Sequence, residues 1–262
     1  MLSMLLRKVA WPAALLLAFG TSASAQPAAA TTTASPIPPS FALLSLVGDE
    51  FSVVMRREEI GSNIDPNTRR VYPVAAAVLD DIALDAAEKM LKQLRPVSPV
   101  VRFSIRDPRL FDLQGKLLED DGGLRDALAK LLREQQATRL VLVTKWRDNA
   151  QFKLIDGTTG TGKISGLGFY VDTTYVYRNR ETGNQGEGFL GPFAYLTVTV
   201  VDTATMKPIR ATQARESEMN LPTDTKGAVH AWDALTPQGK VDALERVLRR
   251  AVESATTAAL AE

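Results

Sequence analysis

Few side chains in this sequence have the types and spacing that chemistry needs. Gly157 to Ile164 reads GTTGTGKI, one residue away from the phosphate-binding loop GxxxxGK[ST]. In that loop glycine amides cradle phosphates, the lysine reaches the outer phosphates and a hydroxyl residue holds magnesium, all at a helix N-terminus. Here Ile164 stands where the hydroxyl belongs and a β-prone run follows. The segment is therefore expected to be a hairpin tip. His230 is the single histidine, and no G-x-S-x-G elbow exists to give it a serine partner. Packing against Trp232 or capping the final helix is its expected role.

The adjacent acids Asp80 and Asp81 could suggest a metal, but no histidine or further acid cluster lies near them in the sequence. They stand near the start of a helix-like segment, where carboxylates favour the positive end of the dipole, and are expected to cap it. Carboxylates are numerous enough for a glycosidase pair, which needs two of them facing a sugar. Spacing along the chain does not show that arrangement, so a carboxylate-based hydrolase stays as an alternative. No catalytic residue, cofactor or metal is assigned.

The aromatic residues offer a binding surface. Phe169, Tyr175 and Tyr177 share one parity of a β-prone run, and Tyr195 lies on the threonine-rich parity of the next, near Phe193. If those faces coincide, they form an aromatic and hydroxyl surface of the kind that grips peptides or sugars. Ordinary packing under a loop or helix uses the same residues. The polar loop Asn179 to Gly188 beside them could close over a small ligand.

Composition narrows the classes further. The 262 residues are 45% hydrophobic and 23% charged, enough to bury a substantial core. A formal charge of +1 with no basic cluster gives nucleic acid nothing to bind. The absence of cysteine excludes disulfides, thiolate metal sites, cysteine nucleophiles and a lipidated N-terminal cysteine. Met1 to Ala25 carries Arg7 and Lys8, an apolar run from Val9 to Phe19 and the small-residue end Ala23-Ser24-Ala25. That is the order of a secretory signal peptide, and the run is shorter than the roughly 18 residues a spanning helix needs. Cleavage near Ala25 is expected to leave a soluble periplasmic or secreted protein. Gln26 to Ser40, rich in Ala, Thr, Ser and Pro, reads as a disordered leader, and 41–262 as a single α/β domain.

The elements that must position these residues centre on RLVLVTKWR, Arg139 to Arg147. Leu140-Val141-Leu142-Val143 is apolar on both parities, as in a strand with neighbours and cover on every side. Ahead of it, FALLSLV (Phe41–Val47) and FSVVM (Phe51–Met55) flank Gly48-Asp49-Glu50 and are expected to form a hairpin. Arg56 to Tyr72 reads as an exposed loop. Leu79, Ile82, Ala83, Ala86, Met90, Leu91 and Leu94 give the stripe of a helix within Pro73–Leu94, and Val100 to Ile105 restarts as a strand. An acidic turn, Glu119 to Gly123, precedes a second helix through Leu124, Leu128, Leu131 and Leu132. Strand, helix and the Leu140 strand then make a parallel βαβ unit.

Ile164–Arg178, Phe189–Val201 and Pro208–Ser217 read as an antiparallel meander. The last strand holds Arg210, Arg215 and Glu216, a composition suited to an edge that resists stray pairing. Thr236-Pro237 opens a terminal helix with Val241, Leu244, Val247, Leu248 and Val252 inward. The expected architecture is α+β or α/β: one mixed sheet, an N-terminal βαβ half, an antiparallel meander, and helices packed mainly on one face.

This order of elements, carried by LRDALAKLLREQQATRLVLVT and the Thr236-Pro237 helix, resembles the exported envelope domains typified by the TolB N-terminal domain and CsgG- and LpoB-type proteins. The chain departs from the lipoprotein members in lacking a lipid-accepting cysteine. The resemblance implies protein binding or assembly in the cell envelope without catalysis, with an envelope protein or a second copy as partner through a sheet face or edge.

Overall fold

The computed structural model describes residues 38–57, 67–104, 109–119, 123–154, 157–178, 185–222 and 230–261. The expected signal segment, nearly all of the leader and most of the Asn179 loop lie outside these residues. The apolar strand β5 (Arg139–Lys145) has the environment its composition demands. Leu140 to Val143 are buried, with β1 (Phe41–Leu46) on one side and β10 (Gln185–Asp202) on the other.

The 18-residue β10 is the frame of the sheet. Its Phe193–Tyr195 pair with both β9 (Lys163–Arg178) and β11 (Lys207–Ser217), and its Leu196–Asp202 pair with both β5 and β11. A strand has only two edges, so β9 and β5 must lie end to end along the same edge of β10. The next line repeats the arrangement: β1 runs parallel to β5, and β2 (Glu50–Met55) runs parallel to β9. Outermost, β4 (Val100–Phe103) pairs with β1 and β3 (Thr68–Pro73) with β2.

Here the expected hairpin of Phe41–Val47 and Phe51–Met55 is corrected. β1 and β2 continue in one direction instead of folding back. β1 is buried along its whole length and takes a parallel neighbour on each side, β4 and β5, which leaves no edge for β2. Gly48, at φ 84°, serves a short detour between collinear strands. β3 is a second correction, since Thr68–Tyr72 was expected in a loop. It is an exposed edge strand whose residues show no apolar alternation to read.

Alternation along β1 splits the core. Phe41, Leu43 and Val47 meet α1 (Val78–Leu94) and α4 (Pro237–Leu260), as do Val141, Val143, Leu196 and Val198. Ala42, Leu44, Leu46, Leu140 and Leu142 meet α3 (Leu124–Glu134) and the region of α2 (Arg109–Asp112). The two longest helices thus share one face, and α3 covers part of the other. β4 and β5, joined through α3, are both parallel to β1 and flank it, as the βαβ reading requires.

The rest of the α3 face is covered by an excursion that leaves the sheet after β5 and returns as β9. It contains β6 (Arg147–Asn149), β7 (Phe152–Leu154) and β8 (Gly157–Thr159), with Phe152 packed among Tyr170, Phe189, Phe193 and Tyr195. The phosphate-loop look-alike is β8, a turn and the start of β9, so a strand follows it.

Helix ends are partly as expected. The Thr236 hydroxyl accepts the Gly239 amide at 3.0 Å and caps α4. Its stripe is buried except for Val241, which is 57% exposed. Asp80 does not cap α1, whose N-cap is Ala77 without a side-chain bond. Gly123 caps α3, likewise without one. His230 accepts the Trp232 amide and caps the short 3-10 turn Ala231–Ala234, not the last helix.

Candidate functional site

Two lines of the sheet break at the same level. β5 ends with Lys145 opposite Leu196, and β9 takes over with Gly166 opposite Tyr195. One line further out, β1 gives way to β2 across Gly48 and Asp49. Backbone donors at such a seam lose their ladder partners and must find others. The Asp80 carboxylate supplies them from the α1 side: its Oδ1 accepts the Ser45 hydroxyl at 2.5 Å, the Val47 amide at 2.9 Å and the Gly48 amide at 3.2 Å. Burial pushes the Asp80 pKa up, against the pull of these bonds and of the Lys145 charge. From the α3 side, Gln114 Oε1 accepts the Lys145 amide at 2.7 Å.

Over the seam, between the α3 core and the Phe152 core, lies a cleft of about 460 Å³. Its floor comes from Glu50 and Ser52 of β2 with Arg69 and Val71 of β3. Phe111, Asp112 and Gln114 stand on one wall and Ser165 on the other. Lys145 runs across it. Its stem passes over Gly166, where a Cβ would sit 3.0 Å from Cγ and Cδ, and its ammonium meets Glu50 Oε1 at 3.1 Å. Gly166, at φ 66°, therefore satisfies both the backbone turn and the room that Lys145 needs. The cleft lies at the carboxyl ends of the parallel strands β1 and β5, where open α/β sheets tend to hold ligands.

The chemistry on offer is polar and doubly charged, with Asp49, Glu50 and Asp112 against Lys145 and Arg69. Lys145 is held by Glu50, and Arg69 donates to the Lys163 carbonyl at 3.1 Å. Asp80, whose pKa is raised, belongs to α1 on the other side of the sheet and is absent from the lining. Among the described residues no group of three or more His, Cys, Asp or Glu could hold a metal ion. The arrangement suits an extended, polar segment carrying both signs of charge.

The aromatic set is distributed differently from its expected common face. Phe169 is buried on the α1 and α4 side, edge-on to Phe51 and Trp232. Tyr195 is buried on the opposite side, where its hydroxyl accepts the Gln151 amide at 3.0 Å and ties down the excursion. Tyr170 does the same for the Thr161 amide at 3.0 Å, and burial raises the pKa of both phenols. An irregularity separates these residues from the rest: β10 passes from Glu187 to Phe189 while β9 passes from Val176 to Asp172. The Asp172 carboxylate, fully buried and paired with Arg56 at 2.8 Å, accepts the Thr174 and Tyr175 amides there. Beyond it Tyr175 packs edge-on against Phe189, and the half-buried Tyr177 donates to the Pro222 carbonyl. No single surface holds Phe169, Tyr175, Tyr177 and Tyr195, because the parity of Phe169 opposes that of Tyr195 and the irregularity moves the other two.

The cleft residues were not singled out from sequence. The nearest signal was Lys145, a charge ending an apolar strand, together with the Gly48-Asp49-Glu50 break.

No protein-family model matches the chain, and no curated protein does. Among solved structures it is similar to the dodecamer of a PelC variant from Paraburkholderia phytofirmans, at 9% identity over 85% of this chain and 90% of that one, with a TM-score of 0.32. A putative neuraminyllactose-binding hemagglutinin homolog from Helicobacter pylori matches at 8% identity over 87% and 86%, with a TM-score of 0.36. A DUF330-family protein from Xanthomonas campestris matches at 9% identity over 86% and 85%, with a TM-score of 0.32. None of these three is a TolB-, CsgG- or LpoB-type protein, and scores this low carry no conclusion about shared fold or activity.

Proposed function

We propose that the protein is an exported, non-enzymatic binding protein of the cell envelope, and that it grips a partner protein in the cleft over the seam. The observation that carries this reading is the cleft itself: about 460 Å³, open, and lined by opposed charges that already satisfy one another in the Lys145–Glu50 pair. Such a site recognises a polar segment by exchange of ion pairs, which gives specificity more than raw affinity. Export follows from the Arg7-Lys8 and Ala23-Ser24-Ala25 pattern. No helix among the described residues is long and apolar enough to cross a membrane. Tyr175 and Tyr177, with partly exposed rings, are the members of the aromatic set a partner could reach.

The test is photo-crosslinking in the native envelope from a probe at Gln114, compared with the same probe at the exposed Lys130 of α3. A discrete adduct from Gln114, lost on Lys145→Glu and absent from Lys130, supports the reading. Equal labelling from both positions overturns it. A second reading, hydrolysis by carboxylates, rests on Asp49, Glu50 and Asp112 sharing the cleft. A general acid works with its pKa raised by burial, and Asp80, a carboxyl raised in that way, lies across the sheet from these three. Release of reducing sugar from envelope glycans that stops on Asp112→Asn would favour this second reading over the first.

A further inference from the structure

β11 closes one side of the sheet, pairing with β10 and with no other described strand. The Glu218 amide bonds the Pro192 carbonyl and the Asn220 amide bonds the Leu190 carbonyl. In an antiparallel ladder this parity turns the even-numbered backbone groups toward β10 and the odd-numbered ones away. Ala211, Gln213, Arg215 and Ser217 therefore direct their N–H and C=O groups outward.

Natural edges of this kind are guarded by charges that overhang them. The composition of β11 predicts that guard, but the structure lays these charges over the two faces of the sheet, beside the edge and not across it. Arg210 reaches the Ala258 and Ala261 carbonyls at the end of α4. Arg215 lies 4.9 Å over Trp146 and pairs with Asp148, and Glu216 turns to Arg250 at 3.5 Å. What borders the middle of the edge is Ala211, Thr212 and Gln213, small or neutral.

We propose that this edge joins two copies of the chain, β11 pairing antiparallel with β11 about a twofold axis at Gln213. The proposal rests on the reading of the protein as a non-enzymatic binder and names one partner, a second copy, at a surface separate from the cleft.

Charge selects the register. Opposed residues in an antiparallel pair must point to the same face, so the twofold falls on a residue. At Thr212 it would set Arg210 against Ala214 and Pro208 against Glu216, and at Ala211 it would bring Arg215 against Lys207. At Gln213 it sets Arg210 against Glu216 twice over, and Thr212 against Ala214. The outward N–H of Ala211 then donates to the Arg215 carbonyl of the second copy and its C=O accepts that residue's N–H, while Gln213 pairs with itself in the same way. Ion pairs directly opposite across strands are the favourable case, and like charges there are the unfavourable one. Because α4 packs on β10 and β11, the same axis continues the helix layer as well as the sheet.

The chain has no cysteine, so one introduced thiol reports on one position. The experiment combines sedimentation of the purified protein with mild oxidation of Gln213→Cys and, separately, Lys207→Cys. A concentration-dependent dimer is expected, with covalent dimer from Gln213→Cys and little from Lys207→Cys, whose copies would stand roughly 40 Å apart at ~3.4 Å per residue. Glu216→Arg should raise the dimer dissociation constant by tenfold or more, and adding Arg210→Glu should restore it. Circular dichroism on each variant separates loss of dimer from loss of fold, because Arg210 also holds the end of α4. A protein that sediments as a monomer, or thiols that crosslink equally at both positions, would overturn the dimer. The cleft reading is judged apart, by whether the Gln114 adduct survives in the monomeric Glu216→Arg variant.

Discussion

At the scale of single residues, Asp80 shows how a seam inside a sheet is made tolerable. Three donors converge on one buried carboxylate oxygen, so Asp80→Ala would take away the Gly48 amide's partner and leave the Val47 amide only the Ser45 hydroxyl at 3.4 Å. That should cost about 1–3 kcal/mol in urea unfolding at neutral pH. Its pKa is raised in the fold, so the folded state holds this proton more tightly than the unfolded chain does. The stability so contributed is complete below the unfolded pKa and is lost as pH rises through the folded one. The stability of the wild type relative to Asp80→Asn should therefore fall from about pH 4 upward, then level off. A difference that is flat with pH would refute the assignment. Tyr195→Phe tests the opposite side of the sheet: it should cost about 1 kcal/mol and speed hydrogen exchange at the Gln151 amide above its neighbours.

At the scale of elements, the excursion between β5 and β9 depends on one close approach. A Cβ on Gly191 would lie 2.3 Å from the Phe152 ring. Gly191→Ala should thus lift β7 from the sheet and destabilise by roughly 1–3 kcal/mol, with faster exchange in Phe152–Leu154 and little change in α1. α4 is fastened differently, by Arg246 bidentate on Glu218 at 2.8 Å and Arg250 on the same carboxylate at 3.0 Å. The Arg246 bond holds the Glu218 pKa below the ordinary glutamate value. That stability is present above the unfolded pKa and lost as pH falls through the folded one. Glu218→Gln should accordingly weaken the protein at pH 7 and much less at pH 3, as read by thermal melts.

At the scale of the whole molecule, β10 ties the antiparallel meander to the parallel half, so the two should exchange as one unit. The slowest amides are expected in Leu140–Val143 and Leu196–Val200, and independent opening of either set would show the halves to be separate bodies. The central strand was legible because Leu140-Val141-Leu142-Val143 is apolar on both parities. The helices were legible because their stripes recur at 3.6 residues. The collinear lines were not, since nothing in FALLSLVGDEFSVVM says whether Gly48 folds the chain back or lets it run on. That is decided by which strands claim the edges of β1, far away in sequence. β3 escaped notice because its exposed TRRVYP buries too little to leave a pattern. The cleft was hidden for a related reason: Glu50, Arg69, Asp112, Lys145 and Ser165 come from separate elements and meet only at the seam.

The collinearity of β5 and β9 has an evolutionary consequence. Lys145 and Gly166 face successive residues of β10, so the stretch between them is a parenthesis in what is otherwise one line of the sheet. A descendant could replace that stretch wholesale, provided the new sequence again roofed Tyr170, Phe189 and Tyr195, and every strand pairing of the frame would survive. One wall of the cleft would change with it. The scaffold can thus acquire new specificities by swapping a cassette, with its foundations left untouched.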